Sequence, residues 1–342
     1  MSKHGVTAAR SAVLLPILLL MALPSLAAQA RIDFTGGSAP IAFAVDDVER
    51  ALGSRNESVE RRDLRVPAPA AETQPDLVVH IALIEPSNDS TSPHLEPEGF
   101  ILRSARDGAV RRLTVLALDA GGAMYGGLEL AEQIRVRGPD DIVDMVRNPY
   151  LPLRGTKFNL PLDLRTPSYS DMSDSAQQNI ETIWDFEFWR AYLDRLARDR
   201  YNMVSLWNLH PFPSMVKVPG YPKIALDDVW RSKIAFDEDY STRTTDIVTP
   251  AMLANHEVLK RLTIDQKIDF WRRVMQYAKD RNIAIYVFTW NVYTYGTGGQ
   301  YGITDAIDNP KTTAKINSIP SIAVFKMIKP GIIHRQRIGI VA

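Results

Sequence analysis

No cysteine occurs among the 342 residues of the chain. Disulfides, zinc–thiolate sites, a thiol nucleophile and a lipid attached to cysteine are therefore excluded. An excess of one charge is also lacking, since 40 Lys and Arg residues balance 40 Asp and Glu residues. Proteins that bind nucleic acid normally carry a basic excess, so we do not expect a nucleic-acid partner.

Several motifs of cofactor binding and catalysis are absent as well. The sequence contains no GxGxxG, P-loop, GxSxG or HExxH pattern, which are the signatures of dinucleotide binding, phosphate binding, serine hydrolases and zinc peptidases. Its six histidines form no pair at the spacing of metal ligands. We therefore expect neither a metal nor a cofactor.

The first 30 residues have the pattern of a secretory signal peptide. Basic residues at 3 and 10 precede an apolar run from 12 to 23, and the small residues Ala28 and Ala30 flank Gln29. The run is too short to span a bilayer comfortably, so we expect cleavage before Arg31 rather than an uncleaved anchor. The expected location is secreted or periplasmic, with no membrane contact after cleavage.

Residues 31–147 are predicted to form a small α/β accessory domain. Strands are expected at 77–84, 99–103 and 113–118, followed by a helix over 120–134. Four glycines at 121, 122, 126 and 127 open that helix. A glycine-rich turn before a helix can bind phosphate, but this spacing fits no phosphate-binding fingerprint, so we favour close packing of the helix on the sheet.

Residues 148–314 are predicted to form the first part of a (β/α)8 TIM barrel, which makes the fold class α/β. All six tryptophans lie in this region. Strands are expected at 154–160, 203–207 and 283–290, a helix capped by Asp185 runs to about residue 200, and Thr263 and Gln266 form a capping box. Alternating strands and helices favour a parallel sheet, and a long loop is expected over 209–261.

Polar and aromatic residues follow each predicted barrel strand, where barrel enzymes place their active sites. Amides and charged groups bind sugar hydroxyls and carboxylates, and tryptophan faces pack on sugar rings. Because this pattern recurs at three strand ends, we predict a carbohydrate site there, although each residue taken alone could be structural. The predicted substrate-binding residues are Lys157, Asn159, Asp163, Trp207, Asn208, His210, Trp290 and Asn291.

Part of the chain resembles glycoside hydrolases. The segment 118–131, LDAGGAMYGGLELA, resembles the motif G-x-x-Y-G-x-x-x-L of the accessory domains before α-glucuronidase and β-N-acetylhexosaminidase barrels. Residues 201–208 and 282–288 are similar to the second and third strands of those barrels. The second strand lacks a His-x-x-Asp ending, which favours the α-glucuronidase side.

This resemblance covers most of residues 75–295. It implies that two carboxylates hydrolyse a glycosidic bond, one as acid and the other as base or nucleophile, in a glycan such as glucuronoxylan. In the resembled families the catalytic carboxylates lie on later strands. A complete barrel needs roughly 250 residues, but fewer than 200 follow residue 147, so the catalytic residues stay unknown.

Three hypotheses follow, in this order. The chain is a fragment of a glycoside hydrolase that lacks its catalytic acids, or a non-catalytic protein that binds an oligo- or polysaccharide. The third is a working hydrolase on a smaller fold, with Asp163 and one of the three acidic residues 237–239 as its carboxylates. A solvated surface is the alternative interpretation of that acidic trio.

The C-terminal segment 315–342 is unlike the rest of the chain. No acidic residue occurs in the 34 positions after Asp308, and isoleucine and basic residues are crowded without a helical or strand period. We therefore expect a tail translated out of frame, which would make the chain a truncated form. A native extension of unusual composition is the alternative.

Overall fold

The computed structural model describes residues 29–67, 75–86, 93–166, 174–208, 211–217, 225–235, 250–290, 322–329 and 332–336. For 29, 174–176, 289–290 and the stretches beyond 321, only the backbone is described. These residues form a six-stranded sheet with two helices, a five-stranded sheet with further helices, and a two-stranded sheet. Within the described ranges, no helix is both long and apolar enough to cross a membrane.

The first domain is a mixed sheet with both helices on one side. Its elements are β1 (Gln29–Phe34), α1 (Ala39–Gly53), β2 (Ser58–Asp63), β3 (Leu77–Leu83), β4 (Phe100–Asp107), β5 (Val110–Ala117), α2 (Ala120–Arg137) and β6 (Met145–Arg147). The strand order is β2-β1-β3-β5-β4-β6, in which β4 runs antiparallel to both of its neighbours. The three predicted strands and the predicted helix are confirmed as β3, β4, β5 and α2, while β1, α1, β2 and β6 were not predicted.

The first strand begins before the expected start of the mature chain. It starts at Gln29, and Ala30 is fully buried and aligned with Leu77 of β3. Both residues precede Arg31, where we expected the mature chain to begin. The sheet therefore includes two residues that we had assigned to the leader.

The glycines at the start of α2 lie against neighbouring backbone and side chains. A Cβ added at Gly122 would lie 2.3 Å from the carbonyl oxygen of Gly99, and one at Gly126 would lie 2.5 Å from Cγ1 of Val115. The helix is capped by Asp119, whose side chain accepts from the backbone of Gly122. The close-packing interpretation of these glycines is confirmed.

We expect Gly122→Ala to lower the free energy of unfolding by about 2 kcal/mol, because overpacking a close backbone contact typically costs 1–3 kcal/mol. Urea denaturation followed by far-ultraviolet circular dichroism measures the change. Gly53→Ala is the matched control, since a Cβ there meets nothing within 4 Å. Equal stability of the two variants would contradict the packing role.

The second region contains the five-stranded sheet. Its elements are β7 (Gly155–Asn159), α3 (Asp174–Ile183), α4 (Phe186–Arg198), β8 (Met203–Trp207), α5 (Phe212–Met215), β9 (Val229–Ser232), α6 (Pro250–Ala254), β10 (His256–Lys260), α7 (Ile264–Lys279), β11 (Ala284–Trp290), β12 (Ile322–Lys329) and β13 (Ile332–Gln336). The strand order is β13-β12-β11-β8-β7. Strands β7, β8 and β11 are parallel, as predicted, whereas β12 is antiparallel to β11 and β13 to β12.

The sheet of the described residues is open and no closed barrel is found, so the predicted first part of a barrel is not confirmed. Two other expectations for this region are wrong. The tail, for which we expected no regular period, contributes β12 and β13. The predicted long loop also contains β9 and β10, which pair antiparallel in the two-stranded sheet.

Helices α4 and α7 cover one side of the five-stranded sheet. Asp185 caps α4, and Thr263 with Gln266 forms the predicted capping box of α7. Trp189 and Trp271 are buried side by side between these helices, with ring centroids 5.5 Å apart. On α7, Lys267 and Val274 are fully buried, whereas Ile268 and Met275 are only partly covered.

One carboxylate of the first domain contacts the start of all three parallel strands. Glu98 has a left-handed backbone (φ 65°) and pairs with Arg154, which precedes β7, at 2.5 Å. It also accepts from Asn202 before β8, at 3.0 Å, and from Asn282 before β11, at 2.7 Å. We call these four residues the docking network. They join the first domain to the amino-terminal ends of the strands.

A second carboxylate, Asp47, strengthens the same junction. It is 2% exposed and forms ion pairs with Arg50 of its own helix, Arg135 of α2 and Arg198 of α4. The guanidinium of Arg198 also lies 5.0 Å from the ring centroid of Phe43. Since arginines of both regions converge on buried groups of α1, the two regions pack as neighbours through charged as well as apolar contacts.

Candidate functional site

The five-stranded sheet has one apolar and one polar–aromatic side. Phe158, Leu206 and Val287 align across the three parallel strands and face the helices, as the contacts of Phe158 with Trp189 show. Side chains alternate along a strand, so the neighbouring positions face the other way. We call this opposite side the strand-end face. Its members are Lys157, Asn159, Ser205, Trp207, Tyr286 and Phe288.

A lysine and two aromatic rings contact one another on the strand-end face. The ammonium of Lys157 lies 4.5 Å from the ring centroid of Trp207. Phe288 stacks on the same indole at 4.5 Å with an angle of 8° between the planes. Because β8 lies between β7 and β11, the two neighbours cover opposite faces of the indole. Cation–π attraction and ring stacking therefore hold these three side chains together.

This arrangement changes the role expected for Trp207. We predicted that its face could pack against a sugar ring, but both faces are already covered by Lys157 and Phe288. Only the edge of the indole can meet a ligand, while Lys157 remains exposed beside it. The ammonium is the group through which the strand-end face can bind an anionic or hydroxyl-rich molecule.

Asn208, another predicted sugar contact, lies inside the protein. It is 1% exposed, and its side-chain amide donates to the carbonyl oxygens of Leu160 at 2.6 Å and Thr166 at 3.0 Å. These bonds fasten the chain that follows β7 to the end of β8. The structure therefore gives Asn208 a structural position, whereas Asn159 is half-buried on the strand-end face itself.

Asp163 is also buried away from the strand-end face. It is fully buried, and its two oxygens accept from Arg165 at 2.6 and 2.9 Å. One of them also accepts from the backbone of Trp230, at 2.8 Å. The carboxylate is thus fully engaged in joining the loop after β7 to the two-stranded sheet, and it does not face open space with Lys157.

Arg165 also contacts the residues before β9 and the ring of Trp230. Its guanidinium donates to the backbone carbonyls of Asp227 and Asp228, and it lies 3.9 Å from the ring centroid of Trp230. His256 stacks on the same indole at 3.8 Å. The stack of Arg165 and His256 on Trp230 was not predicted from the sequence, in which the spacing Asp163-x-Arg165 is the local signal of the ion pair.

A buried lysine lies near this junction. Lys267 of α7 is fully buried, and its nitrogen lies 5.4 Å from the ring centroid of Trp184 without a hydrogen-bond partner among the described residues. Burial lowers the pKa of Lys267 to about 8, although the carboxylates of Asp163, Asp227 and Asp228 favour its charged form. Burial therefore destabilises the charged form of this lysine in the folded state.

Other predicted site residues cannot be placed. His210, Asn291 and the acidic trio 237–239 lie outside the described residues, and only the backbone of Trp290 is described. The strand-end face as defined above carries no carboxylate. Among the described residues, no group of three potential metal ligands occurs.

No protein-family profile matches the sequence, and no curated protein does. Two solved structures with partial similarity are glycoside hydrolases. One is a GH138 enzyme targeting pectin rhamnogalacturonan II, with 20% identity and a TM-score of 0.48 over 75% of this chain and 30% of that chain. The other, CpGH84D, has 11% identity and a TM-score of 0.37 over 85% of this chain and 40% of that chain.

Proposed function

We propose that this chain is the front part of an exported, α-glucuronidase-like glycoside hydrolase that takes part in glucuronoxylan breakdown. One observation carries the proposal: three successive parallel strands, separated by helices, place Asn159, Trp207 and Phe288 side by side at their carboxyl ends, with Lys157 on the same face. Open and closed α/β sheets bind their ligands at this end. In this proposal the five-stranded sheet corresponds to the first part of a (β/α)8 barrel.

We further propose that the chain is a truncated form without catalytic carboxylates. Hydrolysis of a glycosidic bond needs two such groups flanking the bond. The six residues that define the strand-end face include none, and the predicted carboxylate Asp163 is buried and bonded to Arg165 and to the backbone of Trp230. The same observation supports the second candidate function, a non-catalytic protein that binds carbohydrate at the strand-end face.

Lys157→Ala tests the binding site. We expect at least a tenfold rise in the Kd for glucuronic-acid-substituted xylo-oligosaccharides, measured by isothermal titration calorimetry. Hydrogen bonds to charged groups contribute about 1.5–3 kcal/mol, and about 1.4 kcal/mol corresponds to tenfold. Lys233→Ala is the control, because Lys233 is exposed on the two-stranded sheet region, remote from β7 in the chain.

Two results would count against these proposals. Unchanged affinity of the Lys157 variant would remove the strand-end face from the binding site. Hydrolysis of aryl glycosides or xylan fragments by the purified chain would reject the truncated form and the non-catalytic alternative together.

A further inference from the structure

A groove of about 820 Å³ lies on the helix side of β11. Its lining includes Ile268, Trp271 and Met275 of α7, Met215 of α5 and Ile285 of β11. At the junction with the first domain it is lined by residues 96–98, Pro149, Pro152 and Leu153. Its middle is therefore apolar, and its ends are mixed.

The topology of the sheet explains why this groove exists. Parallel neighbours need a crossover, and α4 and α7 are the crossover helices that connect β7 to β8 and β8 to β11. The next strand in the sheet, β12, is antiparallel to β11, so its connection needs no crossover. Among the described residues, β11 therefore lacks the covering helix that an additional parallel unit would supply.

An exposed apolar segment, residues 150–153, lies directly beside the groove, and we call it the knob. Tyr150 is 97% exposed, Leu151 55% and Leu153 59%, and Leu153 also lines the groove. Pro149 and Pro152, which also line it, restrict the backbone of this segment. Monomeric proteins rarely expose large contiguous apolar patches, so knob and groove together mark a surface that associates.

We propose that a second copy of this chain docks on this surface through a two-fold axis. In a two-fold contact the same patch meets itself, so a knob beside a groove can enter the groove of the partner while receiving the partner's knob. Charges of both signs let such a patch meet itself without repulsion. The lining includes the acids Glu96 and Asp265 and the bases Lys217, Arg272 and Lys279, of which Asp265 pairs with Lys217 and Arg272 with Asp269 in the same copy.

The proposed dimer leaves Lys157 and Trp207 of each copy open, although Tyr286 of the strand-end face also lines the groove. The groove lies on the helix side of β11, whereas Lys157 and Trp207 belong to the opposite side of the sheet. Two open faces in one particle would bind a long polymer at two points, which raises the overall affinity without new contacts. The dimer itself does not depend on the proposed ligand of that face.

Sedimentation velocity of the full chain from 1 to 100 µM tests the proposal. We expect a dimer, and we expect Leu153→Asp and Met275→Glu each to raise its dissociation constant at least tenfold, since buried anchors of an interface commonly exceed that value. Val136→Asp is the matched control, because Val136 is 79% exposed at the end of α2 and does not line the groove.

A monomeric wild-type chain at 100 µM overturns the proposal, as does a dimer that neither variant weakens. If the groove is filled by the chain's own residues, the wild type is monomeric and Met275→Glu lowers its melting temperature, which also overturns it. Because Leu153 is on the surface, its variant should fold, and circular dichroism verifies this.

Discussion

Asp163→Asn lowers the free energy of unfolding by about 3–5 kcal/mol, the usual cost of removing one partner of a buried ion pair. The carboxylate is fully buried, and its loss leaves the guanidinium of Arg165 without its partner inside the protein. It also weakens the bond from the backbone of Trp230, which anchors β9. Urea unfolding followed by tryptophan fluorescence reports on this region, because all six tryptophans lie beyond residue 148.

The matched control for this variant is Asp269→Asn, which removes a carboxylate from an exposed pair with Arg272. We expect it to cost less than about 1 kcal/mol, as surface ion pairs do. One other outcome would support Asp163 as a substrate-binding residue, as the sequence predicted. If Asp163→Asn keeps its stability but loses sugar binding, the carboxylate belongs to the binding site.

Lys267→Met raises the free energy of unfolding by up to about 3 kcal/mol at pH 7. The lowering of the lysine pKa from its ordinary value of 10.5 to about 8 corresponds to an energy of that order. Methionine has a similar length and no charge, so it keeps the contact with Trp184 while avoiding the cost of burial. Urea unfolding of wild type and variant at pH 7 measures the difference.

The stability difference between the wild type and Lys267→Met should depend on pH. Between pH 8 and 10.5 the unfolded chain keeps the proton of Lys267 while the folded chain releases it, so the stability of the wild type rises with pH across this window. The advantage of the methionine variant should therefore shrink towards pH 10.5. Lys233→Met, at an exposed position, should show no such trend. A difference that is constant with pH would contradict the assignment.

Local signals in the sequence predicted much of the secondary structure. Asp185 and Thr263 mark helix starts by hydrogen bonds within four residues, which a sequence displays directly. The pairing of β9 with β10 was missed because 23 residues separate two short strands of four and five residues. The strands of the tail were missed because their apolar residues do not alternate, so pairing with β11 rather than a local pattern positions them.

The candidate site was predictable in position but not in orientation. Strand ends could be found from the sequence, and Lys157 and Asn159 do lie on one face of the sheet. Whether a residue beyond a strand points outward depends on how the following loop folds back. Asn208 binds the segment after β7 and Asp163 binds the backbone of β9 instead, and long-range contacts of this kind have no periodic signature.

The docking network also has a consequence for the order in which the chain is made. Glu98 belongs to the first domain, and the three residues that bind it each precede one parallel strand of the second region. Synthesis proceeds from the amino terminus, and domains generally fold as units in that order. Glu98, which binds a residue before each of β7, β8 and β11, is therefore synthesised before any of these strands. The first domain can thus serve as a template on which each new strand is aligned as it emerges.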